Sequence, residues 1–444
     1  MGGFLYLCYN GFMKKLANFL LLCTAITPLL VYKNYLSPFI DAKVLFLRGI
    51  SFAVILLIGF ILVSKNNSKN NDKVEILNKI SELKKDKLFK FVSVYIGLMI
   101  LSTIFAFNPY VAFFGEPLRA EGFLTVFAIY SLYVGFLILF SKKEWNKFFV
   151  ITIFTTIILF IIQARQSALG MYRSDSLTGN PIFLSSYYLF SLFAGFMVIR
   201  LGNSLKNGMY NFLGSVGLIL AFIGILLTKT RGTMLAVFVG FLIVSLMAII
   251  YGKSTYIKKN SFRKIGIWII ALMICFSALF LATRKSQFWQ HIPGLNRFAQ
   301  ISVSDNTATS RIEYTKVSLR GFFHDQSISQ TFLGWGQTNY QFFWIKNYDP
   351  VFFYYDQGIA DHAHNQLIDI LVMSGIFGFV IYLIIWVLFV KKINQLTNTD
   401  LILALGIVFW SVGYFVNNLF AFDTAMTLLT FYIMISFISK SYEK

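Results

Sequence analysis

Long apolar runs recur along the whole chain, and the short gaps between them hold most of the charged residues. A helix that crosses the hydrocarbon core of a membrane needs about 20 apolar residues. Of the 444 residues, 57% are apolar and only 13% are charged, whereas about a quarter of the residues of soluble proteins are charged. The sequence therefore predicts an all-α, polytopic integral membrane protein with about twelve transmembrane helices. The predicted spans are residues 16–32, 44–64, 91–107, 123–140, 148–163, 183–200, 212–228, 233–251, 266–282, 367–390, 401–418 and 425–438.

One apolar stretch is too long for a single straight helix. From Phe212 to Ile250 the only charged residues are Lys229 and Arg231. A helix of that length would extend roughly 58 Å, nearly twice the thickness of the hydrocarbon core. We therefore expect this stretch to fold back as a hairpin near residues 228–233.

The basic residues gather in alternate gaps, and this pattern indicates the orientation of the chain. Because Lys and Arg are retained on the cytoplasmic side of a membrane, the formal charge of +20 is a topology signal rather than a sign of nucleic-acid binding. An even number of spans then places both the N- and the C-terminus in the cytoplasm, with the protein in the cytoplasmic (inner) membrane. The basic gaps are Lys65 to Lys90, Lys142 with Lys143 and Lys147, Arg200 with Lys206, Lys253 to Lys264, and Lys391 with Lys392.

The opposite side receives one gap that is much longer than the others. We expect residues 1–282 to form spans one to nine, residues 283–366 to form one large outward-facing loop, periplasmic or extracellular, and residues 367–444 to form spans ten to twelve. The large loop mixes aromatic residues with arginines. It is therefore predicted to fold as a small cap with short interfacial helices.

The stretch Asp361-His362-Ala363-His364-Asn365 joins the large loop to the tenth span. Titratable residues at a membrane surface often serve a function, so His364 is predicted to be a general base or a substrate ligand. The alternative is a residue that starts a helix and has no chemical role. A metal site at His362 and His364 is disfavoured, because their spacing puts them on one side of a strand but not of a helix. Asp369 is expected to cap a helix, to pair with an arginine or to orient a histidine.

Four arginines also fall in gaps on the outward side: Arg119, Arg173, Arg231 and Arg311. A guanidinium binds phosphate through two hydrogen bonds and stays charged, so these residues suit a lipid diphosphate. The alternative is that they extend towards lipid headgroups. Trp335, between two glycines, is a candidate for stacking on a sugar ring, and packing inside the loop or anchoring at the membrane interface is the favoured alternative.

These residues resemble a family that comprises O-antigen ligases, O-antigen polymerases and protein O-oligosaccharyltransferases. The resemblance implies an inverting, metal-independent glycosyltransferase without a cofactor. Arg231 and Arg311 would hold the diphosphate and His364 would contact the acceptor, while Met373 stands where many relatives carry an acidic residue. The resemblance rests on Arg119-Ala120-Glu121-Gly122, Gly179-Asn180-Pro181, Thr230-Arg231-Gly232, Ser310-Arg311, Leu333-Gly334-Trp335-Gly336, and His364-Asn365 followed by Gly375 and Gly378.

The expected reaction moves a glycan from a polyprenyl-diphosphate carrier to an acceptor hydroxyl on the outer face of the membrane, as in a ligase or polymerase of surface polysaccharide. The partners would be this donor, membrane lipids and an acceptor that is a glycan, a lipid or a protein. His364 is the expected catalytic residue, and no metal ligand is expected. Substrate contacts are expected from Arg231, Arg311, Arg119, Arg173, Asn365 and Trp335. The alternative function is a transporter or flippase of lipid-linked oligosaccharide, which would favour charged or broken helices at mid-membrane.

Overall fold

The computed structural model describes residues 2–64, 71–252, 261–300, 306–354 and 358–440. These residues form α-helices, two short 3-10 helices at Thr24–Leu29 and Pro350–Tyr354, and no strand. Parts of two basic gaps, residues 65–70 and 253–260, lie outside the described residues. The helices are α1 (Gly2–Cys23), α2 (Asp41–Val63), α3 (Asn71–Leu83), α4 (Lys87–Ile104), α5 (Pro109–Phe114), α6 (Phe123–Leu139), α7 (Lys142–Ala168), α8 (Pro181–Leu205), α9 (Gly208–Thr228), α10 (Arg231–Tyr251), α11 (Ser261–Thr283), α12 (Gln287–His291), α13 (Leu295–Ala299), α14 (Asn306–His324), α15 (Ile328–Leu333), α16 (Tyr340–Lys346), α17 (Gln366–Thr397), α18 (Leu401–Asn418) and α19 (Ala425–Lys440).

The predicted membrane architecture is confirmed. Among the described residues, 10 helices are long and apolar enough to cross a membrane, and two shorter apolar helices, Phe123–Leu139 and Ala425–Ser439, accompany them. Each of these helices overlaps one predicted span. The predicted hairpin also forms, because α9 ends at Thr228 and α10 begins at Arg231. The chain reverses through Lys229, whose backbone is left-handed with a φ of 51°.

The described residues between α11 and α17 form a folded unit, which we call the cap (284–300, 306–354 and 358–365). It has a hydrophobic core of its own, and three residues at the start of α17 complete that core: Leu371, Val372 and Met373. The cap therefore lies on the end of the helical bundle at which α17 begins. We call this end the cap end. The buried aromatic residues of the core are Tyr314, Phe322, Trp335, Tyr340, Phe343, Trp344 and Phe352.

A break in α17 joins the cap to the bundle. Gly375 has a φ of 65° and a ψ of −173° inside the helix, a conformation that is essentially restricted to glycine. The break frees backbone carbonyls of the preceding turn, and the cap supplies their partners: Trp335 N donates to Val372 O over 2.9 Å and Gly336 N donates to Met373 O over 3.0 Å. Gly336 beside Trp335 and Gly375 in α17 thus belong to the same contact between the cap and the bundle.

Candidate functional site

Four arginines from four separate segments line one pocket at the cap end of the bundle. Arg173 comes from the loop between α7 and α8, Arg231 from the first turn of α10, and Arg297 and Arg311 from α13 and α14 of the cap. We call this space the arginine pocket. The structure therefore brings together three of the four arginines that the sequence indicated, and it adds Arg297.

The hairpin between α9 and α10 holds two of these arginines in place. Arg173 Nε donates to Thr228 O over 3.3 Å, and Arg297 Nη1 donates to Lys229 O over 3.0 Å. Backbone carbonyls at the end of a helix lack partners within the helix, so they suit guanidinium donors. Arg231 follows directly at the start of α10, where the helix dipole also favours an anion. One tight turn thus fixes the position of three cations.

The arginine pocket carries concentrated positive charge. Burial lowers the pKa of the Arg173 guanidinium, and the charges of Arg297 and Arg231 lower it further. Burial and Arg297 likewise lower the pKa of Lys229. These directions show that neighbouring cations in the pocket repel one another. An anion with several oxygens would relieve the repulsion and accept paired hydrogen bonds from the guanidiniums.

His364 lies beside this pocket. Its backbone is left-handed with a φ of 52°, which is uncommon for a residue with a side chain. The imidazole packs against the ring of Tyr314 and the ring of Phe422, each with a centroid distance of 5.5 Å. Burial lowers the pKa of His364, and the nearby charge of Arg311 lowers it further. His364 is therefore a neutral imidazole at neutral pH, which can accept a proton.

A second, larger cavity lies between α4, α6, α17 and α19, and we call it the chamber. Its cap end is lined by titratable side chains, among them Glu121, His362, Asp369 and Asp423. Three of these four residues are carboxylic acids, whereas the arginine pocket is lined by four guanidiniums.

His362 forms the centre of a buried network in the chamber wall. Its Nδ1 lies 3.1 Å from Asp369 Oδ2 and its Nε2 lies 3.5 Å from Glu121 Oε2. The ring stacks on Phe422 with a centroid distance of 3.8 Å. Burial opposes the charging of this imidazole, but Asp369 and Glu121 outweigh it and raise the pKa of His362 to about 10. His362 is therefore an imidazolium held between two carboxylates, and Asp369 is the residue that orients it.

Arg119 does not join the arginine pocket. Its Nε donates to Asp361 Oδ2 over 2.8 Å, and its guanidinium lies over the rings of Phe183 and Phe422. Burial alone would raise the pKa of Asp361, but the charges of His362 and Arg119 outweigh burial and lower it. The predicted diphosphate contact of Arg119 is thus replaced by an ion pair that fastens the loop before α6 to the loop before α17.

Asp423 reaches the chamber from the loop between α18 and α19. It accepts hydrogen bonds from the Tyr414 hydroxyl and from Asn418 Nδ2, and its backbone N donates to Gln366 Oε1 over 2.8 Å. Burial raises the pKa of Asp423 to about 6, although these side-chain hydrogen bonds oppose the rise. No motif in the sequence marked this residue.

Residues 216–383 match a family model described as O-antigen ligase, over less than half of the chain. The match supports the O-antigen ligase family. No curated protein matches the chain closely enough to serve as a relative. The match favours glycan transfer of the O-antigen ligase or polymerase type in general.

The matched segment contains most of the arginine pocket and both His362 and His364. Arg231, Arg297 and Arg311 fall inside residues 216–383. Arg173 of the arginine pocket lies outside that range. So do Glu121 and Asp423 of the chamber, and Arg119, which pairs with Asp361. The two sites are therefore completed by helices and loops on either side of the matched segment.

Two predicted substrate contacts within the matched segment, Asn365 and Trp335, have contacts inside the protein. Asn365 caps α17, because its side chain accepts a hydrogen bond from Leu367 N over 3.0 Å. Trp335 is 1% exposed, its ring packs against Phe107 and Phe343, and its Nε1 donates to Gln326. The alternative of packing within the large loop is the one that the structure adopts for Trp335.

Sequence reasoning missed Arg297, Glu121 and Asp423 and gave His362 no role. Arg297 lies in a part of the cap without a motif, and Asp423 follows an apolar span. Glu121 stood in the motif next to Arg119, so the only available signal was a carboxylate at a predicted helix start. The proximity of these residues arises between segments far apart in the chain.

Proposed function

We propose that this protein transfers a glycan from a polyprenyl-diphosphate carrier to an acceptor hydroxyl, as an inverting glycosyltransferase that needs no metal ion. The observation that carries the proposal is the convergence of Arg173, Arg231, Arg297 and Arg311 on one pocket beside the neutral His364. A pocket lined by four guanidiniums suits a diphosphate better than an uncharged sugar.

The chemistry follows from this arrangement. The acceptor oxygen attacks the anomeric carbon of the donor sugar from the side opposite the diphosphate. The new carbon–oxygen bond forms as the bond to the diphosphate breaks, and the diphosphate leaves with the bonding electron pair, so the configuration inverts. The guanidiniums neutralise the charge that develops on the leaving group. His364 accepts the proton that the acceptor hydroxyl loses.

The distribution of basic residues supports an orientation in which the cap lies on the outer side of the cytoplasmic membrane and both termini lie in the cytoplasm. Lys142, Lys206 and Lys391 lie towards the end of the bundle opposite the cap, where the positive-inside rule expects them. In a variant without native cysteines, a cysteine at Ser329 should react with an impermeant reagent on intact cells, and one at Lys142 should not. Labelling of the cysteine at position 142, without labelling at position 329, would show that the orientation is the reverse of the one proposed.

The decisive experiment reconstitutes purified protein in liposomes with a fluorescent polyprenyl-diphosphate oligosaccharide. Transfer should convert the donor into free polyprenyl diphosphate, and the Arg231→Lys variant should do so far more slowly. Movement of intact donor across the bilayer without cleavage would instead establish the transporter. Binding without either outcome would leave a non-catalytic protein.

The acceptor is identified in cells. Deleting the gene and separating the surface glycans on a gel distinguishes the candidates: loss of a ladder of chain lengths indicates a polymerase, loss of attachment indicates a ligase to lipid, and loss of a glycoprotein indicates transfer to protein. Restoration by the wild-type gene and not by the His364→Ala gene would tie the change to the proposed site.

A further inference from the structure

The chamber is amphiphilic along its length. Its polar side chains gather at the cap end, where α6, α17 and α19 begin, and the side chains further along α19 are apolar. From Ala425 to Ile435 the lining extends about 15 Å along the helix axis at 1.5 Å per residue. Aromatic and aliphatic residues cover this deeper part: Val92, Tyr382, Ile385, Leu428, Phe431 and Ile435.

One polar atom at the cap end of the chamber has no partner. Glu121 has a side chain that is 10% exposed, and its Oε2 faces His362. Its Oε1 is buried and has no hydrogen-bond partner among the described residues. A buried oxygen left without a partner is costly. A ligand that donates a hydrogen bond would remove this cost.

The chamber offers further acceptors for such a ligand. The Asp423 carboxylate receives one hydrogen bond at each oxygen, and each oxygen can accept another. Thr125 and Thr424 contribute hydroxyl groups to the same end. The lining therefore favours a head group with several hydrogen-bond donors, and hydroxyl groups are the donors that also match the neighbouring hydroxyls and aromatic rings.

Charge excludes the other obvious occupant. Glu121, Asp369 and Asp423 carry three carboxyl groups against one imidazolium at His362. A diphosphate in this end of the chamber would meet like charges within a weakly screened space, which is unfavourable. The arginine pocket provides the opposite environment for an anion. Two neighbouring cavities thus sort ligands by charge.

We propose that the chamber binds an amphiphile whose head is rich in hydroxyl groups and carries no negative charge, with Glu121 and Asp423 as its hydrogen-bond acceptors and the apolar depth around Leu428 as the site of its tail. Where the proposed glycan transfer holds, this ligand is the acceptor, and that assignment rests on the proposed function. The binding itself does not require turnover.

Photocrosslinking tests the binding directly. The full-length protein in phosphatidylcholine nanodiscs is irradiated with an alkyl glucoside that carries a diazirine in its chain, and in parallel with an alkyl phosphate that has the same chain. Mass spectrometry then maps the adducts. We expect the glucoside to label residues of α19 and α17 that line the chamber, and the phosphate to label them about tenfold less.

Three variants complete the experiment. Leu428→Trp fills the apolar depth and should abolish labelling of the chamber by the glucoside. Glu121→Gln removes the charged acceptor and should reduce that labelling about tenfold. Glu82→Gln changes an exposed carboxylate of α3, at the opposite end of the bundle, and should leave it unchanged.

Equal labelling of the chamber by both probes, or glucoside labelling that survives Leu428→Trp, would overturn the proposal. Because crosslinking needs no donor and no turnover, these outcomes separate from failure of the proposed transfer. If the protein binds the glucoside in the chamber but never cleaves a lipid-diphosphate donor, the binding site is supported and the proposed transfer reaction is contradicted.

Discussion

The two cavities at the cap end differ in how they are built and in which charge they hold. The arginine pocket gathers permanent cations from loops, a helix start and the cap. The chamber is enclosed mainly by four helices and carries carboxyl groups whose protonation depends on burial, as at Asp423 and Glu121. The arginine pocket therefore draws its charges from four separate segments, whereas burial among packed helices raises the pKa of the chamber's carboxyl groups at Glu121 and Asp423.

His362 and His364 differ in the same way as the two cavities, because one is surrounded by carboxylates and the other lies near an arginine. His362 and His364 are two positions apart, yet their pKa values shift in opposite directions. Phe422 contacts both rings and stacks face to face on His362 alone. His362 meets carboxylates on the chamber side, and His364 meets Arg311. The surroundings, and not the residue type, determine which imidazole can act as a base.

The largest effect is expected from removing the base beside the arginine pocket. His364→Ala should slow transfer by roughly a hundredfold or more, because a positioned base contributes about that much. Donor affinity should stay nearly intact, since the four arginines remain. The measurement is donor Kd beside single-turnover rate. Wild-type turnover in a well-folded His364→Ala protein would remove the base from the mechanism.

A second test breaks the arginine pocket without removing its charge. Arg231→Lys and Arg311→Lys keep a cation but lose the paired hydrogen bonds, so donor affinity should fall about tenfold or more. Arg320→Lys is the matched control, because Arg320 pairs with Asp349 on the cap surface over 3.2 Å. Equal donor affinities for all three variants would contradict paired recognition of the diphosphate.

A third test disturbs the scaffold of the chamber. Gly375→Ala forces a side chain into a backbone conformation suited to glycine and places its Cβ 2.5 Å from the backbone of Phe332. Strain of this kind costs about 1 to 3 kcal/mol, so the melting temperature should fall. Gly97→Ala, on a helix with open space at that position, is the control. An unchanged melting temperature for Gly375→Ala would show that the break in α17 is not needed.

A fourth test concerns pH. Since Arg311 contributes to the lowered pKa of His364, with Asp361 and Asp369 acting in the opposite direction, loss of that cation should raise the pKa. The Arg311→Gln protein would then hold a protonated imidazole at higher pH, and the acid limb of its single-turnover rate at saturating donor should move upward. Arg311→Lys keeps the cation and should leave the limb in place. A downward shift in Arg311→Gln would contradict the proposed contact.

The smallest expected effect is none at all. If guanidiniums supply the positive charge at the leaving group, transfer from a purified lipid-diphosphate donor should be unchanged by a chelator. The control is a metal-dependent transferase assayed in the same buffer. Activity that is lost on chelation and restored by magnesium or manganese would contradict the mechanism.

The sequence by itself determined the membrane architecture. Each span can be recognised locally as a run of apolar residues. Lipid offers the backbone no hydrogen-bond partner, so such a run must form a helix that satisfies its own hydrogen bonds. The hairpin at Lys229 followed from length alone. Residue chemistry also singled out Arg173, Arg231 and Arg311 as outward-side residues suited to a diphosphate, and the structure brings these three into one pocket.

Only the tertiary structure decided how the charges are divided. It paired Arg119 with Asp361, buried Trp335 in the cap, brought Arg297 to the arginine pocket and carried Asp423 to the chamber. It also gave the two histidines opposite pKa shifts. The physical reason is that electrostatic energies depend on distance and burial between residues, and these are fixed by helix packing across segments that are hundreds of positions apart in the chain.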